Sequence, residues 1–253
     1  MLSERIEKVE TSSLPEPLRA TLAAFLDDFQ TLLEEPHLIY PFYLRRMLEI
    51  AVDEMVEKDS SQNRWWEVAL YLAANWAKTR GEAGQITLER IKSLHPLMAD
   101  YFPLDDSEVT LQEITWDTQF GVLMLSETLT GPKRNFVASN AISLAQAHLS
   151  DQAWFRAIHA GHVPIGFVML EIDEEKPQYY VWRFMIAEPY HGRGYGRKAM
   201  EAIKAHVRTL PNATELYLSY GQGEGSPEGF YKKLGFKETG EMDEDEAIAK
   251  IAL

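Results

Sequence analysis

Apolar residues repeat every three or four positions up to about residue 103, whereas from about residue 109 they come in short alternating runs broken by glycine and proline. A helix gathers residues i, i+3, i+4 and i+7 on one face and a strand gathers every second residue, so this change of period divides the chain into two regions. Leu18, Leu22, Phe25, Leu26, Phe29, Leu32 and Leu33 mark a helix from Pro15 onward. The spacing predicts a second helix from Phe42 to Lys58 on the stripe Tyr43, Met47, Ile50, Ala51 and Met55. A third is expected from Asn63 to Arg80, closed by Gly81, and a fourth from near Thr87 with Ile91, Leu94, Leu97 and Met98. Residues 1–103 thus read as an all-helical bundle. Trp65, Trp66 and Trp76 are expected in its core rather than in a ligand cage. His37 and His95 lie beside prolines with no acidic or histidine partner at ligand spacing, which favours capping or surface roles over metal binding.

The pattern changes around YFPLDDSEV, residues 101–109. Beyond it VTLQEIT (109–115) alternates as a strand, and residues 119–149 look mainly helical with a break at Gly131-Pro132. AWFRAIHA and PIGFVMLEI read as a hairpin turning at Gly161, and QYYVWRFMIA as a further strand. Then follow a glycine-rich loop, a helix over 197–209, the strand ELYLSY, a short helix PEGFYKKLG closed by Gly235, and a last hairpin of FKETGE with EAIAKIAL. Strands that first meander and then alternate with helices define an α/β arrangement with a mixed sheet over residues 108–253.

Composition narrows the function. The chain carries 25 Lys and Arg against 39 Asp and Glu, a net charge of −14, which argues against non-specific binding to nucleic acid or an anionic membrane and favours cationic ligands. With no cysteine, disulfides, thiolate zinc sites and cysteine nucleophiles are excluded. MLSERIEKVE has neither a signal-peptide nor a transit-peptide pattern, and no run approaches the roughly 18 apolar residues of a membrane span. A soluble cytoplasmic protein is expected.

The chemistry concentrates in YVWRFMIAEPYHGRGYGRKAMEAIKAHV, residues 180–207, where a strand meets Gly192, Gly194 and Gly196 and then a helix. A helix N-terminus exposes unpaired N–H groups and a positive dipole end, and glycines let an anion approach the backbone. Arg193 and Arg197 add charge. The loop therefore suits phosphates, although three glycines can also serve only a tight turn. It is not a P-loop, since Arg197 and Lys198 follow Gly196 where Lys and Ser/Thr are required. Nor is it the dinucleotide fingerprint, whose third glycine would fall at Arg197.

The six residues His191, Gly192, Arg193, Gly194, Tyr195 and Gly196 resemble Q/R-x-x-G-x-G/A, the pyrophosphate loop of the GNAT N-acetyltransferases, with His191 where Gln or Arg is usual. GFYKKLGF (229–236) is similar to the family's late F-Y-x-K-L-G-F element, and PIGFVML to the strand before its cofactor strand. Three blocks, residues 136–161, 179–200 and 216–241, resemble the bacterial spermine/spermidine acetyltransferase branch, and residues 1–103 lie outside the resemblance. The resemblance implies acetyl transfer from acetyl-CoA, as cosubstrate and without metal, to a primary amine by direct attack in a ternary complex. It implies that the backbone of Met185 and Ile186 orients the thioester and that Tyr231 is the general acid, for which aromatic packing is the alternative role. For the base, Glu171 is the candidate, with Asp173, Glu174 and Glu175 able to draw in a polycationic amine or simply to be solvated; Glu224 and Glu228 are weaker candidates. Arg183, in an apolar strand, is expected to find a partner, an acidic residue being one candidate, in a structural role. An acceptor on a peptide, lysine or aminoglycoside stays open, as does a catalytically silent acetyl-CoA-binding regulatory protein. The helical region is open to a homodimer contact or to sealing the acceptor pocket.

Overall fold

The computed structural model describes residues 2–33, 39–57, 64–174 and 178–253. They form two compact units, one ending at Leu104 and the other spanning Asp105–Leu253. His37, Asn63 and Glu175 lie outside the described residues.

The first unit contains α1 (Leu2–Glu10), α2 (Glu16–Leu32), α3 (Ile39–Glu57), α4 (Trp66–Ala77) and α5 (Gly81–Leu94), followed by a 3-10 turn over His95–Tyr101. The apolar stripe of α2 is buried as its period predicts, with Leu22, Phe25, Leu26 and Phe29 fully enclosed, and α2 packs on α1 and α5. Trp65 and Trp66 are core residues at the entrance to α4. Trp76 donates its Nε1–H to the Leu32 carbonyl at 3.3 Å and lies under the Arg80 guanidinium. His95 packs against Phe102, with ring centroids 4.6 Å apart.

Gly81 does not close the third helix. That helix ends at Ala77, and Gly81, with φ +59°, is the first residue of α5, which begins six residues before Thr87. Gly84 explains the difference. A Cβ there would stand 2.0 Å from the Ala77 carbonyl oxygen, so the missing side chain lets α5 start directly against the end of α4. In sequence two glycines count as helix breakers; here contact with a neighbouring element outweighs propensity.

The second unit is built on a seven-stranded mixed sheet in the order β1-β2-β3-β4-β5-β7-β6. The strands are β1 (Val109–Gln112), β2 (Ala153–Ala160), β3 (Val163–Asp173), β4 (Gln178–Ile186), β5 (Glu215–Tyr220), β6 (Lys237–Asp243) and β7 (Glu246–Ala252). The helices are α6 (Gln119–Leu125), α7 (Asn140–His148), α8 (Tyr195–Val207) and α9 (Glu228–Leu234). Burial is unbroken along β3 from Val163 to Leu170, which requires cover on both sheet faces. That cover comes from α6 against β3, α7 against β2 and β3, and α8 against β1 and β4. β1 stops at Gln112, short of the expected Thr115, because its ladder with β2 runs only to Ala157. Among the described residues no helix is long and apolar enough to cross a membrane.

All neighbouring strands are antiparallel except β4 and β5, which are parallel and joined through α8. Their ladder holds only at Tyr180↔Tyr217 and Val181↔Leu218. Beyond those pairs β4 stays with β3 as far as Ile186, and β5 stays with β7 as far as Tyr220, so the two strands part. At the parting the β3–β4 register shifts, with Met169 opposite Arg183 but Leu170 opposite Val181, leaving Trp182 as the extra residue. The period-two alternation of a regular strand is therefore interrupted at Trp182.

Gly166 sets how closely the free end of β4 lies on β3. A Cβ at this position would meet the Met185 carbonyl oxygen at 2.3 Å and Ile186 Cδ1 at 2.9 Å. Gly166→Ala is expected to lower stability by about 1–3 kcal/mol by overpacking this contact. Denaturant unfolding measures it; an unchanged midpoint would mean that β4 moves aside freely.

Candidate active site

From Ile186 the chain passes through a 3-10 turn at Glu188–Tyr190 into the glycine loop and α8. The three glycines have different reasons. Gly192 and Gly194 have φ of +78° and +82°, a left-handed backbone that L-residues with side chains adopt at a cost, and a Cβ on either would meet nothing within 4 Å. Gly196 has ordinary φ, but a Cβ there would stand 3.1 Å from the Phe230 ring. Gly194 is the N-cap of α8 and offers no side chain to cap it, so the first N–H groups of the helix have no side-chain cap. α8 spans Tyr195–Val207, two residues earlier at each end than the expected 197–209.

His191 ties this loop to the strand before it. Its Nε2–H donates to the Ile186 carbonyl at 2.7 Å, so the last residue of β4 and the first residue of the loop motif are bonded. A second tie comes from Glu188, which accepts from Thr130 N at 2.7 Å, Thr130 Oγ1 at 2.9 Å and Lys133 Nζ at 2.9 Å. Burial opposes that carboxylate's charge, but the bonds from Lys133 and Thr130 prevail and hold its pKa below the usual range. These bonds bring the segment 129–138 beside the loop.

A cavity of about 660 Å³ lies where β4 and β5 part. Its lining takes in Met185, Ile186, His191, Gly192, Gly194, Tyr195, Gly196, Arg197 and Tyr231. Of the residues named from sequence, Arg193 and Glu171 are not in the lining. Arg193 turns away, donating from Nε to Asp105 Oδ1 at 2.5 Å with its guanidinium 5.2 Å from the Tyr195 ring centroid. Glu171 is exposed near the end of β3, opposite Tyr180. Glu224 is exposed, and Glu228 accepts from Lys232 Nζ at 2.6 Å; neither lines the cavity.

Several lining residues carried no sequence signal: Lys133, Asn135 and Phe136 from the segment after α6, Ser219 and Tyr220 from β5, and Glu246 from β7. Glu246 is the one carboxylate among the described lining residues, against Lys133, Arg183, Arg197 and Lys233 as the Lys and Arg. Arg183 finds its partner in Gln146 rather than in an acid. Its Nη1 donates to the Trp182 carbonyl at 2.7 Å and its Nη2 to Gln146 Oε1 at 3.3 Å, both neutral acceptors, and burial lowers its pKa against the pull of Glu246.

Tyr231 is buried on α9, its ring stacked on Tyr220 at 5.7 Å and edge-on to Phe230 and Phe236. Burial, and then the charge of Glu246, push its phenol well above the ordinary tyrosine range. The stacked partner Tyr220 donates to Glu238 Oε1 at 2.9 Å, so its proton is already engaged. Among the described residues no group of three or more His, Asp or Glu is arranged to hold a metal ion.

Residues 111–236 match the model of the Acetyltransferase (GNAT) family. This part of the chain is a GNAT acetyltransferase domain, with the family's mixed sheet flanked by helices. Over 85 residues the chain is 34% identical to the spermine/spermidine N(1)-acetyltransferase of Bacillus subtilis (strain 168), covering 31% of this chain and 56% of that protein. It is 33% identical over 85 residues to the probable spermine N(1)-acetyltransferase of Bacillus subtilis subsp. natto (strain BEST195), with the same coverage. The chain thus spans about half the length of these relatives. Among solved structures, an acetyltransferase from Thermus thermophilus aligns with a TM-score of 0.45 at 18% identity, over 57% of this chain and 97% of that one. The paia N-acetyltransferase from Thermoplasma acidophilum, solved in complex with coenzyme A, aligns with a TM-score of 0.36 at 21% identity, over 45% of this chain and 68% of that one.

The His191 tie is testable without a ligand. His191→Ala leaves the buried end of β4 with an unpaired carbonyl and is expected to cost about 1–3 kcal/mol, whereas His191→Gln keeps a donor and recovers most of it. Thermal unfolding of the two variants measures this; equal loss in both would sink the hydrogen-bond explanation.

Proposed function

We propose that this chain transfers the acetyl group of acetyl-CoA to a primary amine, with a polyamine as the acceptor class, by direct attack within a ternary complex. One observation carries the reading: a single cavity joins a glycine loop at a helix N-terminus, the free end of a parted strand and a buried phenol. The match to spermine/spermidine acetyltransferases supports the polyamine acceptor. Among the described residues, those lining the cavity lie between Leu129 and Glu246, which supports assigning the reaction to residues 108–253.

Acetyl-CoA, when bound, supplies an activated acetyl thioester. The chain's own residues do the rest. Gly192, Gly194, Tyr195 and Gly196 present backbone N–H groups at the positive end of α8, with Arg197 and Lys133 adding charge, a set of donors suited to a pyrophosphate. Met185 and Ile186 line the cavity on the stretch of β4 that has left β5; the Ile186 carbonyl is held by His191, and the backbone groups beside it that β5 no longer pairs are those available to a thioester. Tyr231 holds its proton where the departing sulfur needs one. Because its folded pKa lies above the ordinary value of about 10, the protonated form persists throughout the neutral and mildly alkaline range. Tyr220, already donating to Glu238, is the poorer acid.

The chain has no cysteine, so a thiol reagent reads only released CoA. Wild type is expected to release CoA with spermidine or spermine. Tyr231→Phe should lower kcat by roughly 10²–10⁴-fold, the usual contribution of a general acid, with acetyl-CoA affinity unchanged. The wild-type alkaline limb should fall above pH ~10 rather than at the tyrosine reference value. Turnover confined to peptides or aminoglycosides would reassign the acceptor. Acetyl-CoA binding with no turnover on any amine would favour a silent regulatory protein.

A further inference from the structure

The cavity is electrically two-sided. Arg197 and the α8 N-terminus supply positive charge beside the glycine loop, where Lys133 is already paired with Glu188; Arg183 and Lys233 also line the cavity, and Glu246 is the one described carboxylate in the lining. It opens β7, next to the strand that diverges from β4. The Ser219 hydroxyl, on β5, donates to Glu246 Oε2, which orients the carboxylate and leaves Oε1 able to accept from a ligand. Glu246 shares the cavity lining with Tyr231 and Arg183 and acts on both through space. In acyl transfer the attacking nitrogen and the leaving sulfur belong to one carbon for a moment, so a group near the acid is also near the acceptor. Glu171, by contrast, is exposed and outside the lining.

Resting on the acetyl-transfer reading, we propose that Glu246, held by Ser219, is the carboxylate that binds and positions the acceptor's ammonium group, and that it makes the site selective for cationic primary amines over neutral acceptors. A primary ammonium brings only donors, and a half-buried carboxylate with one oriented oxygen is its complement. The guanidinium of Arg183 is hydrogen-bonded to Gln146 and to its own strand and feels Glu246 only through space, so the carboxylate can still take an incoming cation in direct contact. Ser219 is a positioning residue in this arrangement.

The test is calorimetric binding of spermidine to the full chain in the presence of CoA, with CoA release measured in parallel. Glu246→Gln is close in shape, and its unfolding midpoint shows that the fold is intact. It is expected to weaken spermidine binding and to raise the KM for spermidine by about 10–100-fold, the scale of one charge-assisted hydrogen bond, while acetyl-CoA affinity holds. Glu246→Asp should recover part of the loss, and Ser219→Ala should raise KM by less than Glu246→Gln. Equal spermidine binding in wild type and Glu246→Gln overturns the proposal, as does no binding to wild type or a loss that appears in Glu171→Gln instead. Spermidine bound by wild type, weakened in Glu246→Gln, but never acetylated would uphold this site and sink the transferase reading.

Discussion

The structure of the second unit turns on a parallel pair of strands that holds at only two positions. β4 and β5 are bonded at Tyr180 and Val181 and then separate, because β4 follows β3 while β5 follows β7. A continuous sheet would have satisfied the backbone groups of β4 on both edges and left no space. By parting, it leaves one edge of Met185 and Ile186 facing a cavity and gives α8 a strand end to start from. The absence of side chains at Gly166 and Gly196 allows the rest: β4 lies against β3, and α8 lies against Phe230, without a Cβ between them.

Once the cleft exists, its charges sort by element. The loop side collects helix N–H groups and cations, held in place by His191 on Ile186 and by Glu188 on Thr130 and Lys133. The β7 side contributes Glu246, and between them stands a phenol whose proton is kept on by burial. For a chain of net charge −14, a cavity whose described lining holds four Lys and Arg against one carboxylate is a local exception that suits a bound anion. The acidic excess elsewhere suits a cationic second ligand.

Much of the second unit was legible from period and turn chemistry. The β2–β3 hairpin at Gly161, the strand before the loop, the helix closed by Gly235 and the last hairpin all lie where alternation and glycine predict. The first unit was legible in its long stripes but not at Gly81 and Gly84, where two glycines begin a helix because α4 is in the way of any Cβ at Gly84. Arg193 and Arg197 look equivalent in sequence, both flanking the glycines. Folding separates them, since Asp105, 88 positions earlier, captures Arg193 while Arg197 stays on the cavity.

The sequence by itself determined the local elements, the glycine loop at a strand-to-helix junction and the phenol of Tyr231, because each depends on residues within one or two turns of chain. Tertiary structure alone decided which strands part, that Arg183 would rest on Gln146, and that the carboxylate in the cavity is Glu246 rather than Glu171. The physical reason is that burial and charge pairing depend on distance in space. Ser219 and Glu246 are 27 positions apart along the chain and become neighbours only when β5 pairs with β7.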